Sequence, residues 1–324
     1  MHRLAGSSMT SLLISPEYAP FLHIFSDLQQ VEIDTEAAMS VCDSSPFSDE
    51  HLAERVISGK SFTALTSLQS LRVTGSAMSW RYDIEHLEVL TQLKSLYICN
   101  VVPVLSSSSG SISLLPSLTS LTLLLDTDYD QCDGLLKPLL RCGGNLTHLV
   151  LGQALMEQCD NAPGFLCHLP CLHQLEHLEL KMLSASPSNR HAEQLVQLRF
   201  SRLQILSVQF STVSGGCDPQ WDLSGCRQLR ILAITSTLDH YHENRFYAEE
   251  SSMNLMGLKG VHASILHVAH HRVGPIITDF SGWSLDAVKV YSRANDWRNS
   301  QSVRALLGAL LDVVPMSKVI NRSS

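Results

Sequence analysis

The chain has 324 residues, 44% of them hydrophobic and 17% charged, with a formal net charge of −8. A single compact core stops growing near ~250–300 residues, so a chain of this length is expected to divide or to form an elongated array. The acidic balance excludes the basic footprint of a nucleic-acid binder. Lysine and arginine form no run of the kind that binds anionic lipid, and there is no stretch of 18 uncharged apolar residues to cross a membrane.

Residues 1–60 are Ser-rich and only partly periodic, and they read as an irregular N-terminal cap. The opening "MHRLAGSSMTSLLISPEYAPF" has one basic residue and a short apolar run, a poor secretion signal. The nine cysteines, odd in number and unevenly spaced, then read as free thiols in a reducing compartment, the cytoplasm or the nucleus. "FSDLQQVEI", Phe25 to Ile33, is a first trace of a rhythm that dominates the chain from residue 61 to 293.

That rhythm runs Leu65, Leu68, Leu71, Val73; Leu90, Leu93, Leu96, Ile98; Leu115, Leu118, Leu121, Leu123; Leu146, Leu149, Leu151; and Leu172, Leu175, Leu178, Leu180. It continues as Phe200, Leu203, Leu206, Val208 and Cys226, Leu229, Leu232, Ile234, with weaker copies at Leu266 and Val268 and at Leu285, Val288 and Val290. The markers Leu71, Leu96, Leu121, Leu149, Leu178, Leu206, Leu232, Leu266 and Val288 lie 25, 25, 28, 29, 28, 26, 34 and 22 residues apart. The closing two-residue step has strand period and points both residues to one face. The three-residue steps before it belong to a turning approach.

This L-x-x-L-x-x-L-x-L pattern at a 20–29-residue period resembles the leucine-rich repeat. The place where that family often carries Asn, three residues after the last strand leucine, holds Ser76, Val101, Asp126, Ala154, Leu183, Ser211, Thr237, His271 and Arg293 here. The resemblance is therefore to the irregular, intracellular kind. It implies an α/β fold: one right-handed solenoid, a horseshoe or arc over 1–324, with a parallel sheet on the concave face and helices on the convex face. Stacking joins the leucines of successive repeats into a common core, because no repeat can bury its own apolar face. The segments "YDIEHLEVLTQL", "DGLLKPLLRCGG" and "SNRHAEQLVQL" are read as the returning helices. Residues 294–324 are read as a capping helix and tail, since Val303, Leu306, Leu307, Leu310, Leu311 and Val314 make one stripe stopped by Pro315.

Catalytic and ligand-binding motifs are weak. "SGKS" at 58–61 has Glu54 where a phosphate loop needs Gly. "DTDYD" at 126–130 is followed by Gln131 and Lys137 where a calcium loop needs Gly and Glu. "CHLPCLH", Cys167 to His173, keeps repeat register and has no second half. The histidines at 240, 242, 262, 267, 270 and 271 read as loop and surface residues. No enzyme activity, metal or cofactor is expected.

If the leucines face inward, their neighbours form the outer face of the sheet. The residues expected to carry binding are Arg72, Tyr97, Thr122, His148, Val150, His177, Glu179, Lys181, Gln209, Ile231, Lys289 and Tyr291. This mixed, mildly apolar surface suits a protein or peptide partner, with no nucleic acid and no membrane. The expected function is a non-enzymatic interaction scaffold. The alternative is a substrate-recognition subunit of a ubiquitin ligase. "SPEYAPFLHIFSDLQQVEIDTEAAMSVC" resembles the F-box module in the order Pro16-Glu17, Ile24-Phe25, Leu28 and Val41-Cys42, with Ser15 in place of the leading leucine and no Trp after Cys42. That resemblance implies a ligase adaptor as a further partner. It requires residues 16–45 to fold as packed helices apart from the sheet. The plain-repeat reading requires Val31 to Ile33 to pair as a strand.

Overall fold

The structure is a computed structural model that describes residues 9–35, 55–75, 80–83, 87–104, 115–124, 143–152, 172–184, 196–211, 221–237, 253–254, 258–270, 276–277, 282–292 and 319–323. By its internal contacts the chain forms two units, Met1–His148 and Leu149–Ser324.

The first unit contains β1 (Ser11–Ile14), β2 (Gln30–Asp34), β3 (Arg55–Ile57), β4 (Ser70–Thr74), β5 (Trp80–Asp83), β6 (Ser95–Cys99), β7 (Val102–Val104) and β8 (Ser120–Leu124). β1, β2, β4, β6 and β8 pair in that order, all parallel, and β3, β5 and β7 form a second parallel sheet. The main register is unbroken, with Val31 opposite Leu71, Leu71 opposite Leu96, and Leu96 opposite Leu121. Val31 and Ile33 therefore do what a repeat strand requires. Phe25, expected as an inward member of that early copy, is instead 37% exposed, while Leu22 three residues earlier is buried with Leu28.

β9 (His148–Leu151) begins at the boundary of the units. The second unit continues with β10 (His177–Ser184), β11 (Val196–Gln197), β12 (Ile205–Ser211), β13 (Trp221–Asp222), β14 (Ile231–Thr237), β15 (Met253–Asn254), β16 (Leu258–Lys259), β17 (His262–His270), β18 (Ile276–Ile277), β19 (Ser284–Ser292) and β20 (Val319–Ser323). β10, β12, β14, β17, β19 and β20 pair in that order, again all parallel. β11, β13 and β16 form a small second sheet, and β15 pairs with β18. The C-terminal tail thus adds a strand. The stripe from Val303 to Val314 lies outside the described residues.

Two hydrogen-bond devices generate these sheets. The first explains the three-residue step. The N–H of Leu68 donates to the Leu65 carbonyl at 3.0 Å, Leu93 to Leu90 at 2.9 Å, Leu118 to Leu115 at 3.1 Å, Leu175 to Leu172 at 3.1 Å and Leu229 to Cys226 at 3.1 Å. Each step of three is one tight turn that returns an apolar side chain to the core. The second device locks the strands. A single carbonyl just before most main-sheet strands accepts two successive N–H groups from the following repeat. Gln29 accepts from Gln69 and Ser70, Gln69 from Lys94 and Ser95, Glu176 from Gln204 and Ile205, and Gln204 from Arg230 and Ile231, all at 2.8–3.0 Å.

The core follows the predicted pattern. Leu65, Leu68, Leu71, Val73, Leu90, Leu93, Leu149, Leu151, Leu172, Leu175, Leu178 and Leu180 are 0% exposed, and Leu266, Val268 and Val288 are equally enclosed. Burying a leucine side chain contributes about 1.5–3 kcal/mol, so these columns are the main source of stability. Trp283 adds a buried indole that donates to the Leu258 carbonyl at 3.3 Å.

Of the expected returning helices, only the described part of "YDIEHLEVLTQL" is corrected. Among the described residues every helical turn is 3-10: Pro16–Ile24, Gly59–Phe62, Leu87–Val89 and Gly143–Asn145. In "YDIEHLEVLTQL" the residues Tyr82 and Asp83 end β5, and Leu87 onward runs as successive i→i+3 turns. The reason is the period. Apolar residues spaced strictly by threes fit a helix of 3.0 residues per turn, whereas an α-helix of 3.6 alternates threes and fours. "DGLLKPLLRCGG" falls almost wholly outside the described residues, and of "SNRHAEQLVQL" only Val196 onward is described. Val196 and Gln197 there form β11.

Close backbone approach makes some positions specific for glycine. Gly260 has φ +63°, and a Cβ there would lie 2.7 Å from the Ser224 Cβ and 2.8 Å from its N. Gly260→Ala is expected to lower stability by at least about 1–3 kcal/mol, from left-handed strain plus that collision, measured by urea denaturation. A second pair tests the inward–outward assignment. Leu178→Asp replaces a fully buried leucine by a carboxylate and is expected to melt part of the second unit. Glu179→Ala removes only a half-exposed ion pair with Lys181 and is expected to shift stability by no more than about 1 kcal/mol. Equal melting shifts for the two would defeat the assignment.

Candidate functional site

Alternation along each strand sends every second side chain away from the core, and the parallel register then aligns these side chains into columns. In the first unit one column reads Leu13, Glu32, Arg72, Tyr97 and Thr122. Three of the residues expected from sequence, Arg72, Tyr97 and Thr122, are brought together here. Glu32 was missed, although the same rule applied to "QVEI" places it between the inward Val31 and Ile33.

This column is largely self-satisfied. The Arg72 Nε lies 3.0 Å from the Glu32 Oε1, with both side chains about half exposed. The Arg72 guanidinium carbon sits 4.1 Å from the Tyr97 ring centroid, a cation–π contact. Burial is the main cause that holds the Tyr97 phenol above its usual pKa, with Cys99 adding to it and Arg72 opposing it. A guanidinium shared between a carboxylate and a ring fixes the shape of this patch but leaves little unspent attraction for a ligand.

In the second unit, one column reads His177, Ile205, Ile231, Ile265 and Ala287, and the next reads Glu179, Ser207, Ala233, His267 and Lys289. All are half-exposed. Of the expected residues, His177, Glu179, Ile231 and Lys289 fall in these columns, and Gln209 lies beyond them opposite Thr235. Tyr291 is opposite Ala269 and Arg322. Lys181 leaves the simple register, which shifts between Leu180 and Leu183, and its Nζ lies 3.5 Å from the Glu179 Oε1 along the same strand. His148 is exposed, with its Nδ1 2.9 Å from the Thr147 hydroxyl, and Val150 is half-buried in β9.

Ile265 and His267 were missed, because the copy around Leu266 is stretched by a spacing of 34 residues. Its inward pair Leu266 and Val268 was visible, and the same alternation predicts both neighbours. Of the histidines expected in loops or on the surface, His262, His267 and His270 lie in β17, with His262 exposed and His267 half-buried. His240, His242 and His271 lie outside the described residues. Cys167, Cys171 and the "DTDYD" stretch do so as well. In "SGKS" the Ser58 hydroxyl accepts the Lys60 N–H at 3.3 Å and starts a short 3-10 turn. Cys99 and Cys226 are free thiols, the latter buried and held above its usual pKa chiefly by that burial.

Among the described residues there is no group of three or more His, Cys, Asp or Glu placed to hold a metal ion. No helix among them is long and apolar enough to cross a membrane. What the outer columns can do is make side-chain contacts over several strands at once, aliphatic in the second unit and ionic–aromatic in the first. Comparison with known proteins finds no family model and no curated protein that matches this chain.

His267 supplies a pH test of this geometry. Burial, and secondarily the Lys289 ammonium opposite it, hold its pKa below the ordinary 6.5. Its other column neighbour, Ala233, carries no charge. The folded chain therefore binds this proton less readily than the unfolded chain. Its stabilising contribution is fully present above pH 6.5 and is lost as pH falls through the lower folded value. Melting temperatures from pH 7.5 down to about 5 are expected to fall faster for the wild type than for His267→Gln, which has no proton to gain. Parallel curves would refute the assignment.

Proposed function

We propose that the chain is a non-enzymatic protein–protein interaction scaffold of the leucine-rich repeat type, with the outer face of its parallel sheets as the working surface. The observation that carries this reading is the aligned, half-exposed column Ile205, Ile231 and Ile265 in the second unit. Solvent-facing strand positions ordinarily favour polar residues. Three β-branched aliphatic side chains in register on neighbouring strands make a contiguous apolar strip, which is the usual mark of a contact surface.

The partner in this reading is a protein or peptide, held by shape and by side chains, with neither cofactor nor metal. The ubiquitin-ligase alternative needs residues 16–45 as packed helices apart from the sheet. Gln30–Asp34 instead pairs along its whole length with Ser70–Thr74, which supports the plain scaffold.

The test is affinity purification of the tagged full chain, with co-purifying proteins identified by mass spectrometry. At least one protein is expected to be captured by the wild type and by Lys60→Glu, an exposed change away from the outer columns, and lost with Ile231→Glu. Capture that is indifferent to Ile231→Glu would sink the reading.

A further inference from the structure

The turns Phe200–Leu203 and Cys226–Leu229 lead into β12 and β14, which are hydrogen-bonded neighbours in unbroken register from Ile205–Ile231 to Ser211–Thr237. On or beside these turns stand Arg199, Arg202, Arg227 and Arg230, all exposed. Residues 199–204 and 226–231 hold four arginines and no carboxylate, in a chain of net charge −8. Stacking gathers onto one rim charges that are scattered along the sequence.

Among the described residues the rim is offset only in part: Asp222 feels the Arg199 guanidinium, which is a minor cause of its lowered pKa. The Arg199 Nη2 donates to the Gln197 amide oxygen at 2.6 Å, and Arg202 donates to that of Gln174, both uncharged acceptors. The nearest acid in sequence, Asp222, is committed to its own turn. It accepts the Ser224 N–H at 2.9 Å, the main cause that holds its carboxyl below the usual range. Glu176 precedes β10 and Asp286 lies in β19, each two strands from Arg230 along the register, so the leads of β12 and β14 themselves are basic.

Arg230 is followed directly by Ile231, the centre of the isoleucine strip. A ligand crossing this place meets guanidinium groups at the rim and aliphatic surface one residue further along the strands. We propose that this rim and strip bind an extended segment of a partner protein that presents Asp or Glu side chains next to aliphatic ones. The inference rests on the outer-face reading above and adds the chemistry of the partner. A guanidinium matches a carboxylate through two parallel N–H donors, which gives orientation as well as attraction. Nucleic acid is disfavoured, because Ile205, Ile231 and Ile265 offer no aromatic ring on which a base would stack.

The probe is a random dodecapeptide library displayed on phage and selected on the full chain. Each recovered sequence is then synthesised with fluorescein and titrated by fluorescence anisotropy. The recovered peptides are expected to pair Asp or Glu with Leu, Ile or Val. The double variant Arg202→Glu/Arg230→Glu is expected to weaken them about tenfold or more, and Arg202→Lys/Arg230→Lys by less, since charge survives without the fork. Affinity is expected to fall as salt rises past the range where the Debye length shortens below ~10 Å. All four positions are exposed, and unchanged circular-dichroism melts confirm that the variants fold. Peptides without acids that are lost with Ile231→Glu would overturn the acidic partner while keeping the outer face. Peptides indifferent to both variants would overturn both readings. A failure to enrich any sequence, or equal binding of a fluorescein-labelled single-stranded oligonucleotide that the arginine variants abolish, would overturn the proposal.

Discussion

The carbonyl that precedes most strands of the main sheets accepts two N–H groups from the next repeat, and the rest of the structure depends on that shared acceptor. It fixes where the following strand begins, and so which of its residues face inward. A parallel strand that slipped by one residue would turn its leucines to solvent and its polar residues to the core. With Gln29, Gln69, Glu176 and Gln204 each holding a pair of N–H donors, that slip is blocked at the outset of the strand. The residue type at these places is free to vary because the backbone does the holding. Side chains as different as those of Gln29, Lys94, Thr119 and Glu176 occupy them.

The inward half of the fold was legible because its signal is redundant. Leu68, Leu93, Leu118, Leu175 and Leu229 each repeat the same demand for burial, and each is also the donor of the same i→i+3 bond. What misled was the segment between strands. Leu87, Leu90 and Leu93 look like part of a helical face, but their constant spacing belongs to a tighter turn than the α-helix. The small sheets made by Trp80–Asp83 and Val102–Val104, or by Val196–Gln197 and Trp221–Asp222, have no periodic signature at two to four residues. Their strand character comes from the neighbour they meet and not from their own pattern.

The outer face divides by the same logic. Alternation alone located Arg72, Tyr97, His177, Glu179, Ile231 and Lys289. It could not say which of them spend their interactions on each other. Arg72 is occupied on both sides by Glu32 and Tyr97, and Glu179 by Lys181. An ion pair in water is worth little to stability, but it removes both charges from the set available to a partner. The isoleucines cannot do this. An aliphatic side chain half-exposed beside another still leaves apolar area in water, and only a covering ligand removes it.

Charge behaves in the opposite way to hydrophobicity when read along a chain. An inward leucine is recognisable one residue at a time, because every one obeys the same burial rule. Arg202 and Arg230 are 28 residues apart in sequence and look like isolated solvated cations. They become one feature only when β12 and β14 pair, and the overall acidity of the chain hides them further. A net charge averages over all faces, whereas a partner meets one. The stacking that buries the leucines therefore also composes the surface: residues chosen independently in successive units are brought side by side, and Arg202 and Arg230 meet as a local basic patch on neighbouring leads rather than as one column. Among the described residues, the arginine-rich lead and the isoleucine strip fall on the same pair of strands, so charge and apolar area are offered to a partner side by side.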